Sequence, residues 1–300
     1  MPEVGLNWLP RKELLTFEEM LKVCSLLTYM GIEKIRITGG EPFVRQGIME
    51  FLTAISKLEK LKELTLTTNG LLTEALVPEL KKMGIRSINL SLDTLDRNRF
   101  LSITKRDELH KVLGTLEQLL VNGIEVKLNA VVMENINTMD IIPLTDLTKE
   151  LPISVRFIEE MPFNGSGNSF SGIAWDHIRI YETIRDKFPS VQKCVDPAFS
   201  TANNYQIPGH KGKFGIIAAY SRTFCGTCNR LRITPDGILK TCLYDKGVLS
   251  IKQMIRNGSS DSTLQKSMLN ALSNRTKDGW EAEKNHEKNS LHESMASIGG

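Results

Sequence analysis

Along residues 13–160 the apolar side chains alternate between two rhythms. Helical spacing predicts helices over 16–31, 47–59, 71–83, 108–122 and 138–150. Period-two alternation predicts strands over 33–38, 63–67, 87–92, 124–132 and 153–158. Gly31, Gly84 and Gly123 each close a helical stretch just before a strand, where a left-handed cap is wanted. Repeated βα units of this kind imply a parallel sheet, either doubly wound or closed as a barrel.

The strand faces separate the two possibilities. Ile35, Ile37, Leu64, Leu66, Ile88, Leu90, Leu92, Val126, Leu128 and Ala130 fall on one side of their strands. The other side carries Lys34, Arg36 and Thr38; Glu63, Thr65 and Thr67; Asn89, Ser91 and Asp93; and Glu125, Lys127 and Asn129. With helices covering the apolar side, the polar sets point into one lumen. Burying them without partners would cost roughly 2–7 kcal/mol each. A wet lumen holding a polar ligand is therefore expected, and Arg36, Lys127 and Arg156 make that ligand anionic. A sheet with one solvated face is the competing reading, but parallel strands are normally covered on both sides.

Composition narrows the class without naming it. The 300 residues are 41% hydrophobic and 24% charged with a net charge of +3, which excludes disordered and collagen-like chains. No stretch approaches the ~18 consecutive apolar residues of a membrane span, and the first residues lack the pattern of a signal peptide. A charge of +3 is too mild to announce nucleic acid. Five cysteines are too few and too odd in number for a disulfide framework, so a reducing compartment is expected. Residues 163–174 form a Gly/Ser/Asn-rich connector, followed by a helix near 176–188 and β runs at 203–207 and 213–220. The polar stretch 257–294 reads as partly helical and loosely held.

The sharpest motif is Cys225-Gly-Thr-Cys228 with Cys242 following an Asp236-Gly237 turn that reverses the chain as a hairpin. Three thiolates converging on one point make a metal or cluster site with one position unfilled by cysteine. No histidine lies near the segment, which favours an iron–sulfur cluster with an open iron over structural zinc; three unrelated buried cysteines are the bland reading. Arg230 and Arg232, two apart on an expected strand, form a phosphate clamp or, more blandly, a solvated edge. Thr38-Gly39-Gly40-Glu41-Pro42, Thr67-Thr68-Asn69-Gly70 and Ser91-Leu92-Asp93 stand at C-terminal strand ends, where α/β folds place ligand chemistry. Cys24, within an amphipathic helix, reads as core.

Taken together, IRITGGEP, TLTTNG, INLSLDT, VKLNAVVM, VRFIEEMPF and CGTCNRLRITPDGILKTCL closely resemble one family. This is GTP 3′,8-cyclase, the radical S-adenosylmethionine (radical SAM) enzyme that opens molybdenum cofactor biosynthesis. The likeness runs from residue 1 to about 256 and returns at Gly299-Gly300. It implies an α/β fold: an incomplete TIM-like radical SAM barrel, its first strand missing, with a small C-terminal α+β part carrying an Fe–S site. Residues 1–162 would be the partial barrel, 163–256 the cluster and GTP-binding region, and 257–300 a polar, partly disordered tail ending Gly-Gly. By this resemblance Gly40, Ser91 and Met161 contact S-adenosylmethionine. Arg36, Thr67, Lys127, Arg230, the backbone at Leu231, and Arg232 contact GTP. Cys225, Cys228 and Cys242 hold a [4Fe–4S] cluster whose open iron takes the guanine, and Gly299 and Gly300 reach the active site as a tail.

The implied reaction takes hydrogen from C3′ of the ribose and joins C3′ to C8 of guanine, giving (8S)-3′,8-cyclo-7,8-dihydroguanosine 5′-triphosphate. The implied partners are GTP, cyclic pyranopterin monophosphate synthase as the next enzyme, and a second copy in a homodimer. Neither nucleic acid nor membrane is expected. A bacterial chain would be cytoplasmic and a eukaryotic one would sit in the mitochondrial matrix. One departure stands out: the family's N-terminal C-x3-C-x2-C, which ligates the cluster that cleaves S-adenosylmethionine, is absent. Its last cysteine is usually followed by Met-Pro-Glu, as Met1-Pro2-Glu3 here, so a chain shortened at its start and lacking radical chemistry is expected. The alternatives are a non-catalytic nucleotide-binding or zinc or Fe–S module on the same barrel, and a peptide-modifying radical SAM enzyme. The latter would bring more cysteines after residue 225 than Cys228 and Cys242.

Overall fold

A computed structural model describes residues 9–162 and 172–285. In chain order come helix α1 (Phe17–Tyr29), strand β1 (Lys34–Ile37), α2 (Ile48–Ser56), β2 (Glu63–Thr68), α3 (Val77–Lys82) and β3 (Ser87–Ser91). Next are α4 (Arg97–Thr104), α5 (Leu109–Val121), β4 (Glu125–Val132), α6 (Ile141–Glu150) and β5 (Ser154–Glu159). The remainder holds α7 (His177–Lys187), β6 (Gln192–Lys193), β7 (Asn203–Gln206), β8 (Lys213–Ile217), β9 (Arg232–Ile233) and β10 (Ile238–Lys240). It ends with β11 (Leu249–Ser250), α8 (Ile251–Arg256), α9 (Asp261–Ser273) and α10 (Gly279–Lys284).

These elements divide into two compact units. The first spans Leu66–Pro162 and continues from 172 to Cys228; the second holds residues 9–65 and 229–285. The division falls inside β2.

In the first unit the strand order is β2-β3-β4-β5-β8-β7-β6. Strands β2 to β5 and β8 are parallel, while β7 and β6 are added antiparallel. Leu66, Ile88, Leu90, Val126, Leu128, Val155 and Phe157 are completely buried on the covered side. Helices α5 and α6 lie against β4 and β5. Each such side chain contributes about 1.5–3 kcal/mol to the fold, which is why the period-two pattern is so readable here. Helix α4 breaks the pattern. Only Phe100 of its eight residues is buried, so its helical spacing carries no apolar stripe; Asp96 starts it by accepting from the Arg99 amide at 2.7 Å.

The second unit packs around α1. Thr16 and Glu19 form a reciprocal capping box at 3.2 and 2.8 Å, and Val23, Leu26 and Leu27 face inward. They meet Leu239, Ile251, Leu264 and Met268 in one apolar cluster. Residues 261–284 are therefore held more firmly than their polar composition predicts. Leu264 and Met268, one helical turn apart on α9, are fully buried, and two such residues suffice to dock a short helix. The expected hairpin is present: β9 and β10 pair antiparallel across Asp236-Gly237. It is shorter than foreseen, so Arg230 precedes β9 and does not share its face with Arg232 by strand alternation. Among the described residues no helix is long and apolar enough to cross a membrane.

Candidate ligand and cluster site

In the first unit the polar strand face is assembled by register. Asn89 pairs with Lys127 and Lys127 with Ser154; Ser91 pairs with Asn129 and Asn129 with Arg156. In parallel strands paired residues share a face, so these form two rows of polar side chains. The Thr67 hydroxyl accepts from the Asn89 amide at 3.3 Å. The Lys127 ammonium donates to Ser87 Oγ at 2.9 Å and lies 3.4 Å from the Glu125 carboxylate, with its side chain 16% exposed. Beside them Asn129 Oδ1 and Ser154 Oγ are buried with no hydrogen-bond partner among the described residues. Orphaned polar atoms next to a half-buried lysine and arginine fit a polar ligand that completes their bonding.

The rim loops differ in what their residues do. Ser91 ends β3 exposed, and Asp93 clips the following loop to β4 by accepting from the Val131 amide at 2.8 Å. Burial pushes the Asp93 carboxyl up to about 6, opposed by that hydrogen bond. Gly70 has φ +80°, and a methyl added there would meet Leu90 Cδ1 at 2.7 Å, so this glycine serves the turn itself. Gly40, in the second unit, is the opposite case: nothing lies within 4 Å of where its Cβ would stand. Met161 follows β5 and is half-buried.

The second unit supplies the remaining cations. Lys34 pairs with Glu63 at 2.7 Å and Arg36 Nε donates to Thr65 Oγ1 at 3.3 Å. Arg36 stays open to solvent, yet nearby protein atoms and the Arg230 guanidinium both push its pKa below the usual value. Two mutually repelling guanidiniums form a place where an anion is welcome. Leu231 and Arg232 are half-buried.

The cysteines lie on two well-anchored turns. Cys225 and Cys228 bracket a 3₁₀ turn ending the first unit, with the Cys228 amide donating to Cys225 O at 3.2 Å. Cys242 lies in the second unit, where Asp245 Oδ2 accepts from the Thr241 and Cys242 amides, both at 2.7 Å. All three thiols are half-buried and none is in a disulfide. A CxxC turn and a third cysteine are the thiol donors that the family resemblance assigns to a [4Fe–4S] cluster. Among the described residues no three His, Cys, Asp or Glu side chains stand within reach of a common metal ion. The thiol of Cys24 is pushed up to about 12 by burial, which makes it inert. Gly299 and Gly300 lie outside the described residues. Asp245 and Glu159 were not foreseen as part of the site. A lone acidic residue after a cysteine or a strand carries no pattern, and only the fold shows which amides surround it.

Residues 5–148 match the model of the radical SAM superfamily, and residues 153–280 match that described as Molybdenum Cofactor Synthesis C. A protein of Clostridium perfringens named GTP 3′,8-cyclase is 39% identical over 260 residues, 86% of this chain and 80% of that protein. The chain belongs to the GTP 3′,8-cyclase family. Human molybdenum cofactor biosynthesis protein 1 is 40% identical to this cyclase-family chain over 265 residues, 88% of the chain but 42% of the human protein. The chain thus spans less than half the length of that relative. Among solved structures, Streptococcus suis SuiB bound to precursor peptide SuiA superposes with a TM-score of 0.61 at 18% identity, over 92% of this chain and 62% of SuiB. That likeness shows a shared fold. The expected α/β class and the family resemblance are both borne out.

Proposed function

We propose that this chain binds GTP and serves its 3′,8-cyclisation, the opening step of molybdenum cofactor biosynthesis. The observation that carries the reading is the polar strand face with Lys127, Arg156 and two orphaned polar atoms, in a chain of the GTP 3′,8-cyclase family. Arg36, Lys127, Arg230 and Arg232 neutralise the triphosphate, with Thr67 and the Leu231 backbone completing the grip. Gly40, Ser91 and Met161 hold S-adenosylmethionine; Gly40 leaves room for close approach and Ser91 offers an exposed hydroxyl. Cys225, Cys228 and Cys242 hold a [4Fe–4S] cluster whose unligated iron orients the purine. When bound at its own N-terminal cluster, S-adenosylmethionine supplies the radical that removes hydrogen from C3′. The protein's own part is to fix C3′ and C8 close together and to keep water from the lumen. Gly299 and Gly300 act as a catalytic tail. The molecule works as a homodimer, with residues 1–162, 163–256 and 257–300 as barrel, cluster region and tail, and its product passes to cyclic pyranopterin monophosphate synthase.

The C-x3-C-x2-C that the radical step requires is not among these 300 residues, so the chain by itself keeps GTP binding and one cluster. Anaerobic reconstitution followed by iron quantitation and GTP titration tests this. About four irons per chain with GTP binding is the expected result. Bound zinc with no cluster absorbance would favour the non-catalytic module, and about eight irons or no GTP binding would overturn the reading.

A further inference from the structure

Glu159 is the last residue of β5 and is fully buried. It lies on the helix-covered side, since strand alternation puts Arg156 and Ile158 on the other. Burying a carboxylate is costly unless donors surround it, and here they do. Its Oε1 accepts from the His177 amide at 2.8 Å and the Ser221 hydroxyl at 2.8 Å, and faces His177 Nδ1 at 2.9 Å. Its Oε2 accepts from the Ser221 amide at 2.7 Å.

This carboxylate serves two segments, with Oε1 shared between them. Through His177 it fixes the first residue of α7. Through Ser221 it seizes the chain after β8, four residues ahead of Cys225. From Ser221 the backbone leads straight to the cysteines: the Arg222 amide donates to Ala218 O at 2.8 Å, Cys225 to Arg222 O at 3.1 Å, and Cys228 to Cys225 O at 3.2 Å. Arg222 itself is buried and held at φ +56°, a conformation that needs surrounding structure to maintain it. Every residue in this chain of contacts belongs to the first unit.

We infer that Glu159 is a positioning residue: through Ser221 it holds the turn bearing Cys225 and Cys228 in fixed register with the end of β5. This rests on the reading of those cysteines as cluster ligands. The carboxylate acts on the turn through the backbone of Ser221 and Arg222, without touching a cysteine, and its contact with His177 does not share that role.

The experiment compares the full chain with Ser221→Ala, Ser221→Thr, His177→Ala and Glu159→Gln after anaerobic iron and sulfide loading. Three readouts are taken: iron loss to a chelator, the electron paramagnetic resonance spectrum of the reduced cluster, and thermal unfolding. Amide exchange over residues 220–228 is measured in the metal-free chain. Ser221→Ala and Glu159→Gln should release iron about 10- to 100-fold faster with an altered spectrum, and Ser221→Thr, which keeps the hydroxyl, should restore both. His177→Ala should lower the unfolding temperature while leaving iron release and spectrum unchanged. If Ser221→Ala matches the parent, or His177→Ala loses iron equally, the inference falls. If the parent chain takes up no iron, the cluster reading fails by itself and amide exchange decides. Faster exchange in Ser221→Ala but not in His177→Ala would uphold the tie, and equal exchange would overturn it.

Discussion

The Asp93→Asn substitution tests the electrostatics of the rim directly. Asp93 clips the loop after β3 to Val131, and burial raises its carboxyl to about 6. Because the folded value lies above the unfolded one of about 3.9, folding favours the protonated acid. The associated stability is fully present below about pH 4 and is lost as pH rises through about 6. The whole range is about 3 kcal/mol at 1.36 kcal/mol per pKa unit. Between about pH 5 and pH 8 some 1.4 kcal/mol of it falls due, and partial exposure of the loop reduces this to about 1 kcal/mol. Asparagine keeps an oxygen for the Val131 amide and never charges. Urea unfolding at the two pH values should therefore show the variant gaining about 1 kcal/mol on the parent as pH rises. A gap that is the same at both pH values, or that narrows, would refute an upshifted Asp93.

Four further outcomes follow from the same geometry. Gly70→Ala places a methyl 2.7 Å from Leu90 Cδ1 at φ +80° and should cost about 1–3 kcal/mol in thermal unfolding. Gly40→Ala meets open space, so it should leave stability in thermal unfolding within about 0.5 kcal/mol of the parent. Leu264→Ala empties a fully buried position on α9 and should destabilise by about 2–5 kcal/mol, measured by urea midpoint. Arg230→Gln removes one of two repelling guanidiniums; it should weaken GTP by about 1.5–3 kcal/mol and flatten the salt dependence of binding in calorimetry.

The sequence was most legible where packing is strongest. Strands β2 to β5 bury one face completely, and an alternating pattern under that pressure admits little else. Helix α4 was illegible because it buries a single residue, and α9 nearly so because Leu264 and Met268 sit in a polar background. The site divides the same way. Lys127, Asn129 and Arg156 were readable as one face because register follows from period two. The interval from Arg230 to Arg232 was misleading because β9 is only two residues long, so strand alternation does not reach Arg230.

What the sequence concealed is how the cysteine turns are supported. Spacing names Cys225, Cys228 and Cys242 but not the groups that orient them. Each turn is gathered by an acid lying elsewhere: Glu159, reached across 62 residues from Ser221, and Asp245, three residues beyond Cys242. Asp245 accepts from the Thr241 and Cys242 amides, and Glu159 from the Ser221 amide. A carboxylate reached by backbone amides, with a single serine hydroxyl beside them, leaves almost nothing for a spacing pattern to show. On the proposed cluster reading, a turn already anchored by a carboxylate costs less to order when its cysteines take up iron.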